Sequence, residues 1–301
     1  MTINRRRAPS SKVSSDKKID GHKREADYAT LINGEKLKGT QKGDVKDKNN
    51  YLHSVKSGKK WQVFLYGFDR ISKSSHLNIL KPCLEAFPKD SKAYFEDRIK
   101  CISYKENFLK KYGSEAAKKL SNQEVIDELG ANTYIKSKEE LSFATLEVFN
   151  ALQDKKILRN FLGEALFNNG EVKFLAIKDS TYRRDDLFKV FCREDVIDIF
   201  TAALSPASSV AGRVSVDYNV AGQKTLLRYK KINSKTKKIS EKNIVEIEIR
   251  NDSDKHYRQV RFNMLSKDAL FLLLNQTKPL DVMDARKGLK IYGGAIQILK
   301  D

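Results

Sequence analysis

The sequence has few cysteines and no long apolar run, and these two gaps exclude several classes of protein. The three cysteines, Cys83, Cys101 and Cys192, are odd in number, widely spaced and without any C-x-x-C pair. Neither a disulfide framework nor a zinc site is therefore expected, and plain packing is their simplest role. The longest apolar runs, such as residues 269–274, fall far short of the roughly 20 residues that span a bilayer. The first seven residues lead into polar sequence, so no signal-peptide core is predicted, and we expect a cytoplasmic protein without membrane contact.

Acidic residues are also too few to balance the basic ones. The 301 residues include 58 Lys and Arg against 39 Asp and Glu, which leaves a net charge of +19 and a pI near 9.6. A basic surface attracts polyanions, because each Lys or Arg placed against a phosphate releases condensed counterions. Nucleic acid is the partner that this charge favours, although a ribosomal protein or a merely well-solvated basic surface has the same composition.

Composition divides the chain into three regions. Residues 1–20 are basic and have almost nothing to bury, which predicts a disordered arm. Residues 21–180 combine short strands with apolar residues at helical spacing over 77–86, 93–112, 114–129 and 138–152, which predicts a core with a helical region. Residues 181–301 are predicted to be rich in strands, at 188–192, 213–220, 225–232, 244–250 and 257–264, with one helix at 267–275. The predicted class is α/β.

A short helix is predicted over residues 22–33. Tyr28, Ala29 and Ile32 recur at helical spacing, and Asn33 with the following glycine supplies a stop signal. Glu25 precedes these residues by three, four and seven positions, so it lies on the same stripe that faces the core. A carboxylate there requires a partner, which would be a metal ion or the lysine of a site. The alternatives are a salt bridge with Arg24 or a position at the rim of the stripe.

Two extended segments follow, at residues 43–47 and 51–57, and a turn of Lys48, Asn49 and Asn50 makes them a hairpin. Alternation along the second strand places Ser54 and Lys56 on one face. If Asp44 projects to the same side, a carboxylate, a hydroxyl and an ammonium group converge. Residues 59–66 are then predicted to begin a helix.

With its helical Glu25, its Asp44 and, after nine intervening residues, its Ser54-Val55-Lys56 triplet, this segment resembles the PD-(D/E)XK nuclease core of type II restriction endonucleases. The resemblance covers about residues 20–70, roughly a sixth of the chain. It implies a restriction-endonuclease-like core, in which a mixed sheet is flanked by helices. Two positions depart from the family pattern: Gly43 stands where a proline is usual, and Ser54 stands where the family usually has Asp or Glu.

The resemblance implies a type II restriction endonuclease that cuts double-stranded DNA at a short sequence and leaves 5′-phosphate ends. Mg²⁺ would be held by Asp44 and, in place of the acid missing at Ser54, by Glu25. Lys56 would orient the attacking water and stabilise the developing charge. Symmetric cutting favours a homodimer. The alternative role for Lys56 is that of an ordinary cation on an edge strand.

Other basic residues are predicted to bind the DNA. Lys59 and Lys60 follow the triplet and are candidate phosphate contacts. In the β-rich region, arginines that can reach phosphates or guanine edges alternate along several strands; they are Arg213, Arg228, Arg250, Arg258 and Arg261. A cluster of lysines in the same region is expected to contact the DNA backbone; they are Lys230, Lys231, Lys235, Lys237 and Lys238.

Two further segments compete for the catalytic role. Glu171-Val172-Lys173 is a literal E-x-K, but the acids before it, Asp154 and Glu164, lie in helical sequence. Residues 246–250 alternate charges along one strand, which a solvated or DNA-facing strand explains without catalysis. Two other functions also stay open: a non-catalytic DNA- or RNA-binding protein, and a structure-specific DNA repair nuclease.

Overall fold

The computed structural model describes residues 11–38, 42–58, 60–130, 133–178, 186–208, 224–232, 235–237, 239–277, 282–283 and 288–300. Within them the helices are α1 Ser11–Leu31, α2 Phe68–Lys73, α3 Lys81–Glu85, α4 Ser91–Lys119, α5 Asn122–Leu129, α6 Thr133–Ala151, α7 Lys155–Phe167, α8 Arg193–Ala203, α9 Ser266–Gln276 and α10 Ala295–Lys300. In these parts of the chain, no helix has the length and apolar character needed to cross a membrane.

The strands of the described residues form two sheets. They are β1 Glu35–Lys36, β2 Val45–Lys46, β3 Leu52–Ser57, β4 Lys60–Gly67, β5 Val172–Lys178, β6 Phe188–Cys192, β7 Ser205–Ser208, β8 Lys224–Ile232, β9 Ile239–Arg250, β10 Gln259–Leu265, β11 Val282–Met283 and β12 Leu289–Ile291. The expected α/β class is confirmed, and the larger sheet is mixed and flanked by helices.

The chain folds into two compact units, and each is discontinuous in sequence. Unit 1 comprises residues 1–61, 162–200 and 265–301, and unit 2 comprises residues 62–161 and 201–264. The sequence predicts a boundary near residue 180 instead. The difference arises because β5 pairs antiparallel with β6 across that boundary, and β6 pairs in turn with β12 from the C-terminal segment. Such long-range pairings leave no mark in local composition.

Unit 1 is built on a sheet in the order β1-β2-β3-β5-β6-β12-β11. Strands β1, β2 and β3 form an antiparallel meander, β5 runs parallel to β3, and β12 runs parallel to β6. One face packs against α1 and α10 through a core that includes Tyr28, Val45, Val55, Phe174 and Ile296. Strand β3 lies between β2 and β5, but its pairing with β2 covers only Leu52 and His53, whereas its pairing with β5 continues to Ser57. Lys56 is thus paired on the β5 side alone, and its alternative role as an edge-strand cation stays a prediction.

Unit 2 is built on a sheet in the order β4-β10-β9-β8-β7, in which β10, β9, β8 and β7 pair antiparallel. Its helices have clear terminal signals: the side chain of Asp90 accepts from the amide of Lys92 before α4, and Ser121 and Glu124 form a capping box before α5. Helix α5 ends at Gly130 with a φ of 58°, the left-handed region that glycine adopts most readily.

Two local predictions are wrong. Residues 60–67 form strand β4 and not a helix, because Trp61 and Phe64 are buried in a short run of β-branched and aromatic residues whose periodicity is ambiguous. Helix α1 begins at Ser11, so a disordered arm is wrong for residues 11–20, where the helix that carries Tyr28 simply continues towards the N-terminus. Residues 1–10 of that predicted arm, and the strand predicted at 213–220, lie outside the described residues.

Candidate active site

The hairpin of β2 and β3 forms around a turn that Asp47 organises. Its Oδ1 accepts from the amides of Asn49 and Tyr51, at 2.9 and 2.8 Å. Asn50 completes the turn with a φ of 67°, a conformation that asparagine tolerates better than most residues. Val45 then pairs with His53 in the antiparallel register. Asp44 immediately precedes β2, and its amide donates to the carbonyl of His53 at 2.8 Å.

The structure brings Asp44, Ser54 and Lys56 together. One oxygen of Asp44, Oδ2, accepts from the amide of Val55 at 2.7 Å, from Nζ of Lys56 at 3.2 Å and from Oγ of Ser54 at 3.3 Å. The side chains of Lys56 and Asp44 are 15% and 21% exposed, so solvent or a ligand can reach them. For Oδ1 of Asp44 no hydrogen bond occurs within the described ranges.

Two further lysines project from the same face of the sheet. Lys56 pairs in register with Ile177 on β5, Ile177 with Lys189 on β6, and Lys189 with Lys290 on β12. Their neighbours in sequence face the core on the α1 side, so alternation directs these lysines to the other side. Strands β3 and β6 are two strand spacings apart, or about 10 Å. Three positive side chains therefore cross this face in one row.

Lys189 and Lys290 are not among the residues that the sequence predicts for the site. Lys189 is 1% exposed, and its Nζ donates to the carbonyl of Leu187 at 3.2 Å. A signal is present, because a single lysine interrupts the apolar strands FKVFC and LKI. Its meaning depends on the register between distant strands, which the sequence alone does not provide.

A buried chain of hydrogen bonds supports β3 from the opposite face. The hydroxyl of Tyr28 lies 2.9 Å from Nδ1 of His53, and Nε2 of His53 lies 3.1 Å from Oδ2 of Asp47. Because a carboxylate only accepts, Nε2 of neutral His53 carries the proton and Nδ1 accepts from Tyr28. His53 also stacks on Phe174 with 4.6 Å between ring centroids. These contacts connect α1, the turn and β3.

Burial determines the ionisation of this chain of hydrogen bonds. Desolvation lowers the pKa of His53 below its usual 6.5, although the carboxylate of Asp47 works against the shift. Burial by itself would raise the pKa of Asp47, but the bonds from His53, Tyr51 and Asn49 together bring it below 3.8. His53 is therefore neutral and Asp47 ionised near neutral pH.

Glu25 does not join Asp44. The buried stripe predicted for α1 is confirmed, with Tyr28, Ala29 and Ile32 at most 7% exposed. Glu25 lies at the rim of that stripe, where its carboxylate is 3.2 Å from Nζ of Lys36 and 3.0 Å from Nδ1 of His22. Lys36 pairs in register with Val45, a residue of the core under α1.

The sheet therefore separates the two carboxylates that the sequence predicts as metal ligands, because Asp44 precedes Val45 and projects from the other face. The alternative partner is also wrong: Arg24 pairs with Asp20 at 3.1 Å. Neither relationship is readable from α1 alone, since both depend on which face of the sheet the helix covers.

The acid and the lysine of the competing E-x-K segment bind different partners. The carboxylate of Glu171 accepts from the side chain of Asn168, and Nζ of Lys173 lies 3.1 Å from a carboxylate oxygen of Glu194 on α8. Lys173 is thus occupied in an ion pair that links β5 to α8. Of the two lysines predicted as phosphate contacts, Lys60 is exposed at the start of β4, and Lys59 lies outside the described residues.

Four of the predicted DNA-reading arginines bond within unit 2. Arg261 bonds to Glu248, its register partner on β9, and Arg250 forms a bidentate pair with Asp252 at 2.6 and 2.7 Å. Arg258 donates to the carbonyl of Leu84 at 3.0 Å, and Arg228 bonds to Asn243 and Glu241. These guanidinium groups hold strands and loops together. The partners of Arg261 and Arg228 come from cross-strand register, which the sequence does not show, whereas the partner of Arg250 is only two residues away. Arg213 lies outside the described residues.

The donor set around Asp44 limits the metals that it could hold. Within the described parts of the chain, no three His, Cys, Asp or Glu residues lie close enough to bind a metal. Asp44 offers one carboxylate with Oδ1 facing no described donor, and Ser54 offers a hydroxyl. This set fits Mg²⁺, which commonly takes one or two carboxylates with substrate phosphates and keeps several waters. It does not fit a metal that requires a complete protein cage.

Comparison with protein-family models, with curated proteins and with solved structures found no match to this chain. The geometry around Asp44 and Lys56 therefore stands by itself as the basis for assigning a function.

Proposed function

We propose that the protein is a Mg²⁺-dependent endodeoxyribonuclease whose active site is formed by Asp44, Ser54 and Lys56. The observation that carries this proposal is the contact between Asp44 and Lys56 on adjacent strands, with 3.2 Å between Oδ2 and Nζ. A carboxylate and an ammonium group held at this distance and partly exposed can act on a phosphodiester, since one attracts a cation and the other an anion. Lys56 pairs in register with Ile177 on β5, and the amide of Val55 binds the Asp44 carboxylate, so the backbone of the sheet holds both residues.

Lys56 is the residue that acts on the phosphate. One of its three N–H donors binds Oδ2 of Asp44, which leaves two to bind a phosphate oxygen or the attacking water. Its positive charge stabilises the negative charge that develops as the phosphorus gains a fifth oxygen. Lys189 and Lys290, on the same face, add positive potential that attracts the DNA backbone.

Asp44 is the residue that would hold Mg²⁺, through Oδ1 and together with oxygens of the substrate phosphate. When bound, the ion supplies charge neutralisation and a water of lowered pKa. The amide of Val55 and the hydroxyl of Ser54 fix the orientation of the Asp44 carboxylate. Ser54 is thus a positioning residue, in the place where the resembled family usually has a second acid.

The substrate that we propose is double-stranded DNA, cut at a short specific sequence as by a type II restriction endonuclease, leaving 5′-phosphate ends. The charge of +19 supports a polyanionic substrate. The mixed sheet flanked by helices, with Lys56 on an interior strand, agrees with the restriction-endonuclease-like core that the resemblance implies. A homodimer would present two such sites to the two strands of a palindrome.

A second function is favoured by one observation: of the two carboxylates that the sequence predicts as metal ligands, only Asp44 lies at this site, because Glu25 lies on the other face. A non-catalytic DNA-binding protein needs no metal ligand, and in it the Asp44–Lys56 ion pair would only join β2 to β3.

Incubation of the purified protein with phage DNA separates the two functions. A restriction endonuclease produces discrete fragments in Mg²⁺ and none in EDTA, and sequencing of the ends gives one short common sequence with a 5′-phosphate. Scattered ends would indicate a structure-specific nuclease instead. Salt-sensitive binding without any cleavage would favour the non-catalytic protein.

A further inference from the structure

Strands β8 and β9 of unit 2 continue beyond their sheet as a two-stranded ribbon within residues 229–243, of which the structure describes 229–232, 235–237 and 239–243. Within the sheet, β7 pairs with β8 only as far as Arg228, and β10 pairs with β9 only from Val245 onwards. Beyond these points the two arms pair with each other, from Tyr229 opposite Lys242 to Ile232 opposite Ile239. Among the described residues, no third strand covers the ribbon.

A β-bulge separates the ribbon from the sheet. The register shifts between Leu227 and Arg228, so that Leu227 pairs with Val245 and Arg228 with Asn243. The residue left over, Ile244, is fully buried. A bulge bends its strand and increases the local twist, and it thereby changes the direction of the residues beyond it. The bulge therefore gives the two strands of the ribbon a direction of their own, different from that of the sheet that supports them.

The ribbon is strongly basic. Its fifteen residues contain six lysines and one acid, Glu241. The carboxylate of Glu241 is bound at 2.9 Å by Arg228, which also bonds to Asn243 at the base of the ribbon. Lys230, Lys237 and Lys242 are exposed, and none of them forms an ion pair with another described residue. The one acid of the ribbon, Glu241, is thus neutralised by Arg228, and the charges of these three lysines are available to bind an anion.

The shape of the ribbon limits the anion that it fits. Its paired part, four residues on each arm, extends about 13 Å at roughly 3.3 Å per residue. Two paired strands are narrow enough to enter the major groove of B-form DNA. The major groove of A-form RNA is too deep and narrow for protein side chains to read. A ribbon with exposed lysines on both arms and at its turn can contact phosphates on both walls of a wide groove.

We propose that this ribbon inserts into the major groove of double-stranded DNA, with Lys230, Lys237 and Lys242 binding phosphates along its walls. The choice of DNA rests on the proposed function, whereas the surface itself belongs to unit 2 and does not depend on cleavage. The ribbon thus takes the place of the arginines that the sequence predicts as DNA contacts.

The test is duplex binding as a function of salt, in EDTA so that no cleavage intervenes. The variant Lys230→Gln, Lys237→Gln, Lys242→Gln is compared with a control of equal charge change, Lys92→Gln, Lys118→Gln, Lys156→Gln. The control lysines are exposed and lie on α4 and α7. Each lost phosphate contact lowers the slope of log K against log salt by about 0.9, so the ribbon variant is expected to lose roughly 2.7 and the control almost nothing.

Equal losses in the two variants would overturn the proposal, because they would reflect net charge alone. Equal binding of the wild type to an RNA duplex of the same sequence would overturn insertion into the major groove. The proposal would also be contradicted if the wild type bound an acidic polypeptide through these lysines but bound no nucleic-acid duplex. If the ribbon variant loses affinity while the wild type cleaves nothing in Mg²⁺, the ribbon proposal stands and the nuclease proposal fails.

Discussion

Lys56 and Asp44 form an ion pair between adjacent strands, with 3.2 Å between Nζ and Oδ2. Both are partly exposed on the face of the sheet opposite α1. The amide of Val55 and the hydroxyl of Ser54 bind the same carboxylate oxygen. Three donors on one oxygen hold it in place and leave the other for a ligand, and this asymmetry is the basis of the proposed nuclease site.

Replacement of Lys56 by glutamine tests its action on the phosphate. We expect Lys56→Gln to lower the rate of DNA cleavage by about 10²- to 10³-fold, the usual cost of removing one group that stabilises transition-state charge. Binding of DNA in EDTA should change little. Lys36→Gln is the matched control, since Lys36 lies in the same sheet but pairs with Glu25 on the other face. Equal cleavage by Lys56→Gln and wild type would move the site elsewhere.

Replacement of Glu25 tests whether the sheet separates it from Asp44. Glu25→Gln should leave the cleavage rate and its Mg²⁺ dependence unchanged, and should lower the free energy of unfolding by less than about 1 kcal/mol, as for other partly exposed ion pairs. Cleavage rates over a Mg²⁺ titration provide the measurement. A raised Mg²⁺ requirement in a folded variant would mean that Glu25 does reach the metal.

The buried hydrogen bond between Tyr28 and His53 should contribute to stability. Tyr28→Phe leaves Nδ1 of His53 buried without its donor, which costs about 1–3 kcal/mol. Tyr51→Phe removes the same atom from a ring that is 38% exposed and should be close to neutral. Urea unfolding of both variants measures the difference. Equal stability of the two variants would show that the buried bond contributes nothing.

Stability should fall as the pH drops below about 6.5. The pKa of His53 in the folded protein is lowered from 6.5, so below this pH the unfolded chain binds a proton that the folded protein does not. The free energy of unfolding then falls by at most about 1.4 kcal/mol per pH unit. Asp47 adds a second loss at lower pH, since its folded pKa lies below 3.8 and protonation removes its bonds. Unfolding free energies measured at several pH values check this, with His53→Phe as the variant in which the first slope disappears. The same slope in wild type and variant would exclude His53 as its source.

Local patterns in the sequence predict much of the site. The hairpin of β2 and β3 is readable because its turn residues are characteristic, and alternation along β3 places Ser54 and Lys56 on one face. Strand β6 lies at its predicted bounds, Phe188–Cys192. In each of these cases the information lies within a few residues of the position concerned.

The features that the sequence could not predict depend on contacts between distant segments. The pattern of residues 60–67 is compatible with a helix, because a short apolar run fits a buried helix as well as a strand that pairs in a sheet. The face occupied by Glu25 depends on where α1 packs, and the row formed by Lys56, Lys189 and Lys290 depends on three strand registers. The arginines at 228, 258 and 261 bond to residues that are distant in sequence or on a neighbouring strand, and these partners cannot be identified without the fold.

The most direct test of the site is single-turnover cleavage of plasmid DNA by the wild type and by Asp44→Asn, in Mg²⁺ and in EDTA. Asparagine keeps an oxygen for the amide of Val55 but loses the charge that would hold Mg²⁺. We expect the wild type to cut only in Mg²⁺, and the folded variant to bind DNA but cut at least about 10²-fold more slowly. Cleavage by Asp44→Asn at the wild-type rate, or by the wild type in EDTA, would contradict the proposed site.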